Sequence, residues 1–328
     1  MATFPRLPEE LIVEILSHLP YGSLENVAWT FSHPLTDIAI SLLKSFLKFR
    51  RETNARLIDR LGPLETQPYS LLRQDELEEP DFLERLGFSP DTVLKLPPSN
   101  RLPNLDYLHL CGDFKWLKPL TGIIAKSTTS YYAGPAVRGS AYEDLISSAD
   151  RVGVTLPPAF VKFFQDEELQ RRIPSGGDSF WLEPGGLQKV PKSRDGGVGG
   201  YKIIFLCAQQ ESYLASLYIE PGRDGASCVL MEPGPGIGGC GHHQDEDEDG
   251  QNAHCPNITD QDRLDAKKAG VGIIDNACAD FTLVGVDFET WLATACYDHA
   301  LRYYIWDSAE PVFGLKEYVK REFYDRTA

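Results

Sequence analysis

Leu7, Leu11, Ile15 and Leu19 recur every four residues near the start of the chain, and Ile12 and Leu16 widen the stripe. That period is one face of an α-helix. Pro8 stands near the first helical position, where a missing N–H costs nothing, and Glu9 and Glu10 suit the positive end of the helix dipole. Pro20 ends the helix. Ser23 is the expected N-cap of a second one carrying Leu24, Val27, Ala28 and Phe31, which Pro34 terminates. A third apolar run holds Ile38, Leu42, Leu43, Phe46 and Leu47 before the basic residues Lys48, Arg50 and Arg51. Three short helices cannot enclose this much apolar surface. The segment is expected to complete its core against a partner.

The pattern changes further along. Residues 52–110 mix an acidic run around Asp75 to Asp81 with the loop Pro97-Pro98-Ser99-Asn100, and are expected to be a connector with short helices. From 111 onward the chain reads as globular. A helix is predicted over Ser140 to Arg151, ending before Gly153. Another opens at Leu156-Pro157-Pro158, with Phe160, Phe163 and Phe164 on its inner face. Strand-like runs follow at Phe180-Trp181-Leu182, Tyr201 to Cys207, Tyr213 to Ile219, Cys228 to Met231 and Phe281 to Val286. Short Gly- or Pro-rich turns between them suggest antiparallel pairing. Asp287 is expected to cap a helix running towards Tyr303, and a last helix is expected near Leu315 to Tyr324. Helices before and after a block of strands predict an α+β fold with a mainly antiparallel sheet flanked by helices. The expected domains are residues 1–50, a connector at 51–110 and an α+β domain at 111–328. About 233–268 form an acidic insertion with too few large apolar groups to repay the entropy of ordering.

Composition narrows the function. With 32 Lys+Arg against 48 Asp+Glu, the net charge is −16, which argues against wrapping nucleic acid or lying on anionic lipid. No apolar stretch approaches the roughly 20 residues of a membrane span, and the first residues have neither the charged nor the apolar part of a secretory signal. Seven scattered cysteines fit reduced thiols. A cytosolic or nuclear setting is expected.

The opening segment Phe4-Pro5-Arg6-Leu7-Pro8-Glu9-Glu10-Leu11, with Ile15-Leu16-Ser17-His18-Leu19 and the spacing to Leu24 and Val27, resembles an F-box over roughly residues 4–45. The resemblance implies docking on the Skp-type adaptor of a cullin-based ubiquitin ligase. It places Leu7, Pro8, Leu11, Ile12, Ile15, Leu16, Leu19 and Leu24 in the contact. Trp29 to Leu35 depart from the family pattern by lacking its basic residue. Residues of about 140–305, without the insertion, resemble a SUKH domain, the Smi/Knr-like fold of fungal regulators. That resemblance rests on Arg151 to Phe164, Ser175-Gly176-Gly177-Asp178, Ser179 to Leu182, the Tyr201 to Ile219 pair and Asp287 to Leu292. It implies a protein-binding domain with no shared catalytic residues.

Other motifs carry less. Cys240, His242, His254 and Cys255 are zinc-type ligands, but the side chains of neighbouring His254 and Cys255 diverge, so a polar loop without metal is expected. Gly234 to Gly239 formally match G-x-G-x-x-G, yet an acidic tract follows where a phosphate-binding helix is needed. Neither a serine-hydrolase elbow nor a P-loop occurs. The reading is therefore a non-catalytic substrate-recognition adaptor with no cofactor. Its partners would be a Skp-type adaptor, the cullin ligase and an unknown target protein. One alternative is a SUKH scaffold outside the ligase; another is a zinc-dependent enzyme using the Cys/His insertion.

Overall fold

A computed structural model describes residues 8–18, 24, 27, 35–62, 64–66, 74–78, 80–89, 91–98, 101–108, 110–122, 124–125, 139–174, 180–182, 184–192, 195, 197–208, 213–222, 225–233, 259–273, 281–307 and 310–324. In chain order the helices are α1 (Glu9–Ser17), α2 (Leu35–Leu61), α3 (Gln74–Leu77), α4 (Pro80–Arg85), α5 (Gly139–Val152), α6 (Pro158–Gln165), α7 (Glu167–Gln170), α8 (Asp260–Ala269), α9 (Phe288–Asp307) and α10 (Leu315–Glu322). The strands are β1 (Glu65–Thr66), β2 (Phe180–Leu182), β3 (Gln188–Lys189), β4 (Tyr201–Ala208), β5 (Tyr213–Ile219), β6 (Ser227–Pro233), β7 (Gly272–Ile273) and β8 (Thr282–Gly285).

The fold is α+β. One sheet runs in the order β1-β8-β6-β5-β4-β3-β7, with β2 also on β4. The long central strands pair antiparallel. At the two edges β1 joins β8 and β7 joins β3 in parallel, so the sheet is mainly antiparallel, as expected, with parallel pairing added at its edges. Turn-linked neighbours pair antiparallel, but an edge strand arriving from far along the chain takes either direction.

Alternating side chains give the sheet two covered faces. On the first, Ile203, Phe205, Leu217 and Val229 meet α6 and α9 in the main core. Phe160 and Phe288 pack 5.1 Å apart between ring centres, and Phe205 and Trp291 4.8 Å apart. Gly285 permits the close approach of α9, since a Cβ there would lie 2.6 Å from that of Trp291. On the second face Tyr218, Cys228, Leu230 and Leu283 are covered by Leu57 and Leu61 of α2. Asn54 stitches α2 to the sheet by donating to Val286 O at 3.1 Å and accepting from Ser227 N–H at 3.0 Å. Beside this apolar layer Lys202 and Glu232, both buried, form an ion pair, and the Ser216 hydroxyl donates to Glu232 at 3.2 Å.

Three stretches differ from expectation. The boundary drawn at residue 50 falls inside α2, which runs unbroken for 27 residues, about 40 Å at 1.5 Å per residue. It contains no Pro or Gly between Leu35 and Leu61, so the basic residues at 48–51 interrupt nothing. The segment expected as a connector contributes Leu77, Phe82, Leu83, Leu86, Leu94 and Leu105 to the main core. It is fastened to the end of the chain by Lys95 N–H on Phe323 O at 2.8 Å and Arg85 on Tyr304 O at 3.0 Å. Finally, residues 260–268, expected within the insertion, belong to α8. A Thr259/Asp262 capping box starts this helix and left-handed Gly270 ends it. The rest of the insertion after Pro233 lies outside the described residues.

Candidate docking surface

Helix α1 starts at Pro8, whose carbonyl accepts from the N–H groups of Leu11 and Ile12 at 3.1 and 3.2 Å. Glu9 and Glu10 supply the acidic first turn. The helix packs on α2, and the apolar residues of this segment divide by exposure. Leu16 is 6% exposed and Leu24 5%, whereas Leu11 is 44% and Ile15 54% exposed. Leu11 and Ile15 are one turn apart and so share a face. Pro8 is exposed and Ile12 half-buried beside them. Leu16 and Leu24 therefore serve the chain's own packing and not the outer surface. Of the residues expected in the contact, Pro8, Leu11 and Ile15 are exposed and Ile12 is half-buried. Leu7 and Leu19 lie outside the described residues, as does most of the stretch from Trp29 to Leu35. Ile40, Phe46 and Phe49 of α2 are further large apolar residues left partly open to solvent.

The zinc candidates Cys240, His242, His254 and Cys255 also lie outside the described residues. Among the described residues no group of three or more His, Cys, Asp or Glu could hold a metal ion, and no helix is long and apolar enough to cross a membrane.

Three of the cavities lined by described residues open on the body. The first, about 610 Å³, lies between α2 and the β5–β6 turn; Arg56 and Arg60 face Asp59 and Glu220 there, and Arg60 pairs with Glu220. In the second, about 380 Å³, Arg50 and Arg51 meet Asp287 and an apolar floor, with Arg50 3.9 Å from Asp287. Asp287 is the expected cap of α9, accepting from Thr290 N–H at 2.7 Å. The third, about 190 Å³, lies beside α9 and includes Trp116, Tyr297 and Phe313. None of the three linings contains a histidine, and Cys296, their one cysteine, is held as a neutral thiol because burial pushes it up.

Several buried ionisable groups were not visible as such in the sequence. His299 is fully buried, which pushes its imidazole down to about 3 and keeps it neutral, with Arg302 adding to the effect. Asp298 is raised well above the usual carboxyl range by burial and accepts from the Tyr318 hydroxyl at 2.7 Å. Glu289 joins α9 to the 111–117 loop, taking Gly112 N–H at 2.6 Å and the Trp116 indole N–H at 3.0 Å. Burial lifts Glu289 to about 7, and Asp287 adds to the rise, although the two donors and Arg50 favour the charged form. The protonated acid is thus preferred in the fold over the unfolded chain. Its stabilisation is complete below about pH 4.5 and is lost as the pH rises towards 7. Across that window the unfolding free energy is expected to fall by up to about 3 kcal/mol more in the wild type than in Glu289→Gln. Urea unfolding at a series of pH values checks this, and parallel pH profiles would contradict it. The only sequence signal for this group is an acidic residue one turn from an aromatic helix face.

The chain matches no known family model, no curated protein and no solved structure.

Proposed function

We propose that the chain is a substrate-recognition adaptor of a Skp-cullin-F-box-type ubiquitin ligase. It docks through α1 and holds a target protein on its α+β body, and the transfer chemistry resides on other subunits. The observation that supports the reading is the exposed pair Leu11 and Ile15 on a short helix whose other apolar side is already used against α2. Burying a large aliphatic side chain is worth about 1.5–3 kcal/mol, so these two supply a partner with a strong apolar anchor. The F-box-like motif supports a Skp-type adaptor as that partner. Continuous α2 then carries the docked end to the sheet, where Leu57, Leu61 and Asn54 hold it.

Affinity capture with purified Skp-type adaptor tests this. Wild type is expected to be retained, and Leu11→Asp or Ile15→Asp to weaken retention by at least about ten-fold with an unchanged unfolding midpoint. Failure of the wild type to bind would leave the scaffold reading in its place.

A further inference from the structure

The third cavity differs from the other two in its chemistry. Lys118 and Arg172 line it without any carboxylate in the lining, in a chain whose net charge is −16. At its edge stands Phe313, 66% exposed and the most exposed large apolar side chain among the described residues. Lys118 Nζ lies 5.7 Å from the centre of that ring, and the Tyr297 hydroxyl donates to Phe313 O at 3.3 Å, holding the turn before α10 in place. Arg172 donates to Leu117 O at 3.2 Å, and Glu168 approaches it at 3.7 Å from outside the cavity. Its buried Nε–H has no acceptor among the described residues. That Nε–H lies below the surface, so what the groove offers an incoming carboxylate is the outer part of a guanidinium that is 25% exposed, beside an exposed aromatic ring.

Size decides the class of ligand. Small-molecule and cofactor sites occupy about 300–1,000 Å³, and about 190 Å³ is room for one large side chain, as in the anchor pocket of a protein interface. We propose that this groove is the target-binding site, taking a large apolar side chain of a partner protein flanked by a carboxylate. The apolar group packs on Phe313 and the neighbouring prolines, and the carboxylate meets Arg172 and Lys118. Charge complementarity here acts within a Debye length of about 10 Å: Lys118 and Arg172 stand in the lining, while Glu168 and Glu310 flank it from outside. The groove belongs to the layer on the first sheet face, with Trp116, Cys296 and Tyr297 in that core. Helix α2 covers the second face, so adaptor and target occupy opposite sides of the sheet. The role as a target site rests on the ligase reading; the binding chemistry does not.

Anisotropy titrations of the full chain with three labelled Gly/Ser peptides test the inference, their centres being Glu-Phe-Glu, Gln-Phe-Gln and Glu-Ala-Glu. The first is expected to bind about ten-fold tighter than the others and to weaken with added salt. Phe313→Ser and Arg172→Gln are expected to lose that preference, and Phe313→Ser, altered at an exposed position, to keep its unfolding midpoint. Equal affinities, no binding of the acidic aromatic peptide at millimolar concentration, or wild-type binding by Phe313→Ser would overturn the proposal. So would a dimer in sedimentation that Phe313→Ser dissolves, since the groove would then serve a second copy of this chain. Capture of the Skp-type adaptor should be the same for Phe313→Ser as for wild type; failed capture with intact peptide binding counts against the ligase reading alone.

Discussion

Phe288→Ala is expected to lower the unfolding free energy by about 3–5 kcal/mol, the range for removing a buried phenylalanine from a core that cannot collapse around the hole. Phe288 is 1% exposed and stands at the meeting point of helix α6, strand β4 and its own helix α9. Its ring centre lies 5.1 Å from Phe160, 5.5 Å from Phe163, 5.9 Å from Phe164 and 5.4 Å from Phe205. Rings this close add edge-to-face attraction to simple area burial. They are also rigid, three held on α6 and one on β4, so no single neighbour can swing in to fill the space. Phe288→Leu, which keeps most of the volume, should cost markedly less. Denaturant unfolding of the two variants checks the prediction, and equal losses would mean that the site is loosely packed.

The second large effect is expected on the opposite sheet face. Lys202→Met should destabilise the fold by about 3–5 kcal/mol, because Glu232 would be left buried and charged without its counter-ion. Both partners are almost fully enclosed, Lys202 at 2% and Glu232 at 4% exposure, and Ser216 alone cannot replace the lost charge. The double variant Lys202→Met/Glu232→Leu removes the problem as well as the pair, and is expected to recover most of the loss, since a buried pair contributes little beyond what well-packed apolar residues supply. A double-mutant cycle by chemical denaturation measures this. If the double variant is as unstable as the sum of the two single variants, the pair is not coupled and the explanation fails.

Much of the central architecture was legible because local signals and tertiary packing agree. The runs Tyr201 to Cys207 and Tyr213 to Ile219 became the two central strands β4 and β5. The Phe160, Phe163, Phe164 face points into the core, and Asp287 caps the long final-domain helix as its position suggested. What escaped was decided in space. The two-residue strands β1, β3 and β7 exist only through their neighbours' hydrogen bonds, and nothing in Glu65-Thr66 or Gly272-Ile273 signals a strand alone. Helix α8 is polar on nearly every side, so its composition reads as a solvated loop; the informative feature was the Thr259 to Asp262 spacing. The boundary at residue 50 was drawn at a change of charge, yet helices end at Gly and Pro, and the first of these after Leu61 is Gly62, in a left-handed conformation.

The candidate docking surface was legible in part. A four-residue apolar period locates a helix face but does not say which of its residues the chain keeps for itself. Packing on α2 takes Leu16 and leaves Leu11 and Ile15 outside. The groove at Phe313 had no sequence signature, because its lining comes from separate stretches near residues 116–121, 172–174, 296–297 and 311–313.

A calorimetric titration of the full wild-type chain with purified Skp-type adaptor decides whether α1 is a docking helix. Saturable one-to-one binding with a negative heat-capacity change, the mark of apolar burial, is expected, and its loss in the Leu11→Asp/Ile15→Asp double variant. Absence of binding by the wild type, or equal binding by the double variant, would contradict it.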